Sequence, residues 1–305
     1  MTEVRSAPPI LAEGLTKRYG STLALDGLDL TVAPGEVYGY LGPNGAGKTT
    51  TIRLLLGLHR PSAGSASLFG VDAWRDPVAA HRRVVYVAGE PFLWPALTSD
   101  ETFAYLARLH GSTDRSYRDL LVKRFQLDTR KKVRALSKGN RQKVQLVAAF
   151  ATRADLLILD EPTSGLDPLM EIAFRETARE AKERGQTIFL SSHMLSEVEA
   201  VCDRVGILRA GRLVGEGTLA ELRHLSAQTV DVVFAGEPPT IDGLRGVQVE
   251  RTGPSALRFE VSGSPQALLA ALGRHPIVSV TSREPSLEEI FLHHYDGQGD
   301  GHASR

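Results

Sequence analysis

The string GPNGAGKTT, residues 42–50, fits the spacing G-x-x-x-x-G-K-[ST] and stands between two telling runs. Before it, EVYGYLG (36–42) reads as a buried strand; after it, KTTTIRLLLGL reads as a helix, which is the context this spacing requires. Gly42, Gly45 and Gly47 carry no Cβ, so backbone N–H groups can close around phosphate oxygens, with Pro43, Asn44 and Ala46 completing the loop. Lys48 supplies a mobile positive charge for the outer phosphates and Thr49 a hydroxyl suited to Mg2+, and Thr50 ends the phosphate-binding set.

A second string, LLILDEP (156–162), ends a buried strand in two adjacent carboxylates, which is costly unless something cationic sits there. Asp160 is placed to hold Mg2+ through its water, and Glu161, on the other side of the strand end, to orient and deprotonate an attacking water. Beside a phosphate loop the pair reads as part of a nucleotide site. In a third string, LSKGNRQKV (136–144), Ser137 is a good N-cap for a basic helix. The N–H groups of Lys138, Gly139 and Asn140 would then point outward and form an anion site. Nucleic acid or a nucleotide held by another chain would supply such an anion. His193 follows the strand TIFLSS at its C-terminal end, the edge where ligands bind in open α/β sheets. Tyr19, in the turn LTKRYG, reads on its own as packing.

These residues need a scaffold. Short apolar runs at 36–42, 84–89, 155–160, 187–192 and 204–209 alternate with amphipathic helical stretches, the pattern of a mostly parallel, buried sheet. The section from ILAEGLTKRYG to DGLDLTVAPGE reads as antiparallel strands, and residues 100–151 as helices inserted between two sheet strands. After about residue 226 the pattern becomes a small α+β module of ferredoxin-like strand order. It closes with PSLEEIFLHHY, where Ser286 and Glu289 have capping-box spacing.

Composition narrows the possibilities. The 305 residues carry no formal net charge, so no global field draws the chain to nucleic acid or an anionic membrane. The charge is uneven: the last lysine is Lys182, and the C-terminal stretch is acidic, which sets it apart as a module. The single cysteine, Cys202, rules out a disulfide framework and points to a reducing compartment. MTEVRSAPPI has no apolar core and is not read as a secretory signal. No apolar run approaches the ~20 residues that span a bilayer, so this chain is not expected to be a channel or permease itself.

In this order the strings resemble the nucleotide-binding subunit of an ATP-binding cassette (ABC) transporter of the multidrug or antibiotic exporter type. GPNGAGKTT resembles its Walker A loop, LLILDEP its Walker B strand, SGLD (164–167) its D-loop and SSHMLSEVEAVCDRV its His switch; LSKGN stands where the signature commonly reads LSGGQ. The resemblance implies a P-loop NTPase cassette at 9–225: parallel core sheet, antiparallel β section, and a helical insertion at about 92–152. A C-terminal α+β accessory domain (226–296) and a flexible tail (297–305) follow. It implies ATP and Mg2+ as ligands, with Tyr19 stacking on adenine, Thr49 and Asp160 on Mg2+, and Glu161 and His193 catalytic. Two cassettes would face head to tail, Ser137, Lys138, Gly139 and Asn140 of one contacting ATP on the other, with Asp167 across the two-fold axis.

Two departures stand out. Lys138 and Asn140 replace the commoner Gly and Gln, and Gly89, in GEPFLWPALT, stands where the family usually has the glutamine of its coupling loop. Glu90 is next to it; the expectation is that this loop couples to a membrane partner without completing the Mg2+ shell. The resemblance implies an ATPase on the cytoplasmic face of the cell membrane, working with an integral-membrane permease and a second copy of itself or a similar cassette. Closure of the pair on ATP would drive export of a drug, antibiotic or lipid-like molecule. The alternative is a soluble cassette ATPase acting on nucleic acid or the ribosome, suggested by 7 basic residues in the 14 of RKKVRALSKGNRQK (130–143). Relatives of that kind usually carry two cassettes or long insertions, so no nucleic-acid partner is expected. A regulator that binds ATP without hydrolysing it is disfavoured by Glu161.

Overall fold

The computed structural model describes residues 7–111, 113–224, 228–241, 243–261 and 263–283. Chain contacts divide it into two units, Met1–Glu216 and Gly217–Arg305.

The first unit opens with β1 (Ile10–Tyr19) and β2 (Thr22–Val32), antiparallel from Ile10↔Val32 to Tyr19↔Thr22. Next, β3 (Val37–Leu41) runs through the 42–47 loop into α1 (Lys48–Leu55). Strands β4 (Ala63–Leu68) and β5 (Val71–Asp72) complete an antiparallel sheet of order β2-β1-β4-β5. The short α2 (Pro77–Ala80) leads to β6 (Val84–Val87). The helical insertion is α3 (Ser99–His110), α4 (Arg115–Arg124) and α5 (Lys138–Ala151). The chain returns through β7 (Leu156–Asp160), α6 (Pro168–Glu183), β8 (Thr187–Ser192), α7 (Leu195–Val201), β9 (Arg204–Arg209) and β10 (Arg212–Thr218).

These last strands join β3 and β6 in one sheet of order β10-β9-β3-β8-β7-β6. Four of its neighbouring pairs are parallel: β9 with β3, β3 with β8, β8 with β7, and β7 with β6. Every residue of β3, β7 and β8 is buried, because both sheet faces are covered; that is why these strands read as mostly apolar runs. The register pairs Leu41 with Ser192 and Asp160 with Ser191, so the C-terminal ends of β3, β7 and β8 form one edge. The 42–47 loop, Glu161 and His193 all leave from it. One apolar core, including Ile10, Leu15, Tyr38, Tyr40, Ile52, Leu156 and Phe189, joins α1 and both sheets and fixes the edge against the antiparallel strands.

Local signals set the helix starts. Thr98 and Glu101 form a reciprocal capping box on α3, and Asp114 caps α4. Ser137 caps α5 by accepting from Asn140 N at 3.2 Å, and Asp167 caps α6 with Pro168 in its first turn.

The second unit contains α8 (Leu219–His224), β11 (Gln228–Phe234), β12 (Val247–Arg251), β13 (Ala256–Val261), α9 (Gln266–Leu272) and β14 (Ile277–Arg283). The sheet order is β12-β13-β11-β14, antiparallel throughout, with Val230, Val232, Phe259 and Leu268 in its core. This is the second-third-first-fourth order of a ferredoxin-like sheet, but the described residues between β11 and β12 are irregular where that fold has its first crossover helix. The division at Glu216/Gly217 also differs from the boundary at 225/226 read from composition. Helix α8, with Thr218 and Glu221 paired at its start, falls in the second unit, and its residues carry none of the charge shift that marks the module. The string PSLEEIFLHHY and the tail 297–305 lie outside the described residues.

Candidate functional site

The loop between β3 and α1 is shaped by its glycines. Gly47 holds φ 117°, and a Cβ there would stand 2.8 Å from the Ala24 carbonyl oxygen. Ala46 N donates to Pro43 O at 3.1 Å, closing the turn. The result is a cleft of about 160 Å3 lined by Pro43, Asn44, Gly45, Gly47, Lys48, Thr49 and Thr50, with Ala24 and Glu161. Gly42 and Ala46 support this loop from behind: a Cβ on Gly42 would lie 2.6 Å from Leu208 O, and Ala46 is buried.

Lys48 is only 6% exposed; its ammonium donates to Gly42 O at 2.5 Å and Pro43 O at 3.3 Å, and lies 3.7 Å from Glu161 Oε1. Burial pulls its pKa below the ordinary lysine value, and the charges of Glu161 and Asp160 oppose that. A phosphate oxygen offers this cation a stronger partner than two carbonyls do.

Asp160, 7% exposed, takes a hydrogen bond on Oδ1 from Ser191 Oγ. Burial raises its pKa, the Ser191 bond lowers it, Glu161 raises it, and Lys48 and Arg53 lower it. The next residue, Glu161, has φ 46°, a left-handed conformation uncommon for a side chain of this type. Its backbone N–H donates to Ser191 O at 3.0 Å, and its Oε1 is 3.2 Å from His193 Nδ1. The strand end thus turns sharply, sending Asp160 inward and Glu161 toward the loop. The Thr49 hydroxyl and Asp160 carboxylate are hard oxygen donors of the kind Mg2+ takes. Among the described residues no group of three or more His, Cys, Asp or Glu could hold a metal. Two such donors suit a cation that brings water and phosphate oxygens with it.

The other expected residues lie apart from the cleft. Ser137, Lys138, Gly139 and Asn140 form the start of α5, and none of them lines the cleft of their own chain. A Cβ on Gly139 would stand 2.2 Å from Gly165 O, so only glycine lets the 164–167 turn lie on this helix start. Asp167 accepts from Met170 N at 3.1 Å and lies 4.0 Å from the Lys143 ammonium. Gly89 packs on the end of β7: a Cβ there would be 3.1 Å from Asp160 O. Glu90 turns away, its Oε2 lying 3.2 Å from Lys138 Nζ. Tyr19 is also outside the residues lining the cleft. Its hydroxyl shares a 2.5 Å hydrogen bond with His59 Nδ1, and Lys17 Nζ sits 4.9 Å from its ring centre.

Three contributors went unread in the sequence. Ser191 holds both Asp160 and the Glu161 backbone; polar residues ending an otherwise apolar strand, SS in TIFLSS, were the available signal. His59 braces Tyr19 from 40 residues away, which no local pattern indicates. Glu197, 3% exposed, takes a bond from Ser192 Oγ at 2.6 Å. Burial pushes its pKa up, against the bond from Ser192, so it anchors the end of the strand just before His193.

Beside β6 an apolar groove of about 280 Å3 is lined by Tyr86, Phe92, Leu93, Trp94, Leu106 and Gln145, among others. Phe92 is 92% exposed at its rim, and Trp94 packs edge-on against Tyr105 with ring centres 4.5 Å apart. Gln145 Oε1 is buried there without a hydrogen-bond partner. Among the described residues no helix is long and apolar enough to cross a membrane.

A glycine loop at the strand edge, a buried Lys48 and a turn with paired carboxylates are the parts that a nucleotide-hydrolysing cassette needs. The comparisons agree: the ABC transporter pattern matches residues 25–164, and that of the "ATP-binding protein DrrA1-3-like, C-terminal domain" matches residues 217–295. The daunorubicin resistance ATP-binding protein DrrA3 of Streptomyces coeruleorubidus is 38% identical over 301 residues, covering 93% of this chain and 95% of that protein. The bacitracin transport ATP-binding protein BcrA of Bacillus licheniformis is 41% identical over 205 residues, 66% of this chain and 67% of that one. A solved ATP-binding subunit of an ABC transporter superposes with TM-score 0.66 at 35% identity, over 70% of this chain and 91% of that one. A dimeric cassette bound to ADP and Pi has TM-score 0.62 over 69% of this chain and 98% of that one; at 22% identity it shows the fold alone. The chain belongs to the ATP-binding subunits of ABC transporters, and it is an ATPase of that family.

Proposed function

We propose that this subunit powers export of a drug- or antibiotic-like small molecule through a separate membrane permease, and that it does so as a pair of cassettes closing head to tail on ATP. The observation that carries the reading is Glu161, held 3.7 Å from Lys48 and 3.2 Å from His193 at the mouth of the phosphate cleft. Lys48 and the loop N–H groups take the phosphates, and Glu161 accepts the proton of the attacking water while His193 fixes its carboxylate. Thr49 and Asp160 would hold Mg2+, which when bound neutralises charge on the outer phosphates. Tyr19, braced by His59, offers its ring to adenine. The cleft is open on the side where its own chain contributes nothing; Ser137, Lys138, Gly139 and Asn140 of the facing copy close it, with Asp167 near the axis.

Export is supported by relatives whose names concern daunorubicin resistance and bacitracin transport. The permease is proposed to dock in the groove under Phe92 and Trp94, with the subunit on the inner face of the cell membrane. The loop through Gly89 and Glu90, which joins groove to site, transmits the motion.

Glu161→Gln tests the scheme. Removing a general base lowers hydrolysis by roughly 10²–10⁴-fold, and an ATP-loaded dimer should accumulate. A variant that stays monomeric by light scattering in excess Mg-ATP contradicts the proposal. Sedimentation of the wild-type protein with ribosomes rather than membranes contradicts the transport assignment.

A further inference from the structure

The two departures from the family pattern touch each other. Lys138 replaces a glycine in the signature string and Glu90 adjoins the missing glutamine, and their charged groups lie 3.2 Å apart. The contact spans two parts of the first unit: Lys138 begins α5 in the helical insertion, and Glu90 lies in the loop leaving β6 of the core sheet. A lysine on the first turn of a helix opposes the helix dipole, and α5 has no acidic residue in that turn to offset it. Lys138 therefore needs an anion from elsewhere. Its backbone has little freedom to seek one, since Ser137 caps the helix and the Gly165 carbonyl lies against Gly139. Only the side chain can change partner, and at 45% exposure, facing a 75%-exposed Glu90, it can do so readily.

We infer that Glu90 is a positioning residue that holds Lys138 in the resting protomer and releases it to the triphosphate on the facing protomer. Closure then exchanges a carboxylate partner for a phosphate, which carries more charge and binds a cation more strongly. Asp167 is paired with Lys143 at 4.0 Å, and the carboxylate paired with Lys138 among the described residues is Glu90. The inference rests on the shared-cleft reading above, because the released lysine acts on the other copy's nucleotide.

The test is a charge cycle in the full-length protein, read as KM and kcat for ATP and as ATP-driven dimerisation. An exposed ion pair is weak, so Glu90→Gln should lower KM for ATP about two- to five-fold with little change in kcat. Lys138→Met should raise KM, and in the double variant Glu90→Gln should have no further effect. The reversed pair, Glu90→Lys with Lys138→Glu, rebuilds the ion pair but turns a carboxylate toward the triphosphate; KM should rise above that of Lys138→Met. Recovery of wild-type KM in the reversed pair would show that the contact only braces the helical insertion, and would overturn the inference. So would an unchanged KM in Glu90→Gln. Both outcomes are separable from failure of the shared cleft, which is tested by mixing Ser137→Arg and Lys48→Ala protomers.

Discussion

Ser191→Ala separates the two carboxylates of the site. The Ser191 hydroxyl donates to Asp160 Oδ1 and accepts from the Glu161 N–H at 3.3 Å; the same N–H also donates to the Ser191 backbone carbonyl at 3.0 Å, a bond that alanine keeps. The variant therefore strips a donor from Asp160 and leaves the Glu161 N–H its shorter bond, to the carbonyl. Asp160 is 7% exposed, so bulk water does not replace the lost donor. A hydrogen bond to a charged group contributes about 1.5–3 kcal/mol, which is roughly 10- to 150-fold in an equilibrium constant. The sign follows from what acts on Asp160. Burial raises its pKa and Ser191 is the largest influence lowering it, so in the variant the carboxyl moves further up and gives a bound cation a weaker partner. Binding of a fluorescent ATP analogue, titrated with Mg2+ at neutral pH, should show a half-saturating Mg2+ concentration raised about ten-fold or more. Binding in chelator should be unaltered, because Lys48 and the loop N–H groups are untouched. An unchanged Mg2+ requirement would refute the role given to Asp160 and its serine.

Two other changes have defined outcomes. Lys48→Ala removes the buried ammonium 3.7 Å from Glu161 and should abolish binding of the same analogue; full ATP turnover in that variant would contradict the phosphate-loop assignment. Glu180→Gln probes stability instead: Arg124, 2.6 Å away, holds the Glu180 carboxyl below its ordinary value, with Tyr117 assisting. A depressed carboxylate stabilises the fold above its unfolded pKa, and that contribution is lost as pH falls through the folded value. The variant should thus unfold at lower urea than wild type near neutral pH, by less than about 1 kcal/mol given the pair's exposure. The two midpoints should converge in acid; a gap that persists there would show that the ion pair is not its source.

The site was legible where chemistry and chain order coincide. Residues 42–50 and 156–162 are contiguous strings whose composition constrains both the backbone and its ligand. The parallel strands were legible because burial on both faces leaves β3, β7 and β8 mostly apolar, with polar residues at the strand ends. Contacts between distant segments were not. His59 against Tyr19, Ser191 beneath Asp160 and Lys138 on Glu90 each join separate elements, and no local string marks the contact. The unit boundary escaped for another reason: charge composition changes only after α8, whereas contacts change before it. The C-terminal strands were readable from their alternation, but the irregular link between β11 and β12 has no periodic signal to mark it.

The central claim is that each catalytic cleft is completed by the other copy, and complementation measures it most directly. Ser137→Arg and Lys48→Ala protomers should each be inactive when purified alone. Mixed in equal amounts, half the dimers pair an intact phosphate loop with an intact helix start from the partner, which restores about a quarter of the wild-type ATPase rate per protomer. A mixture as silent as its components would mean that the two halves of the site do not meet across a dimer.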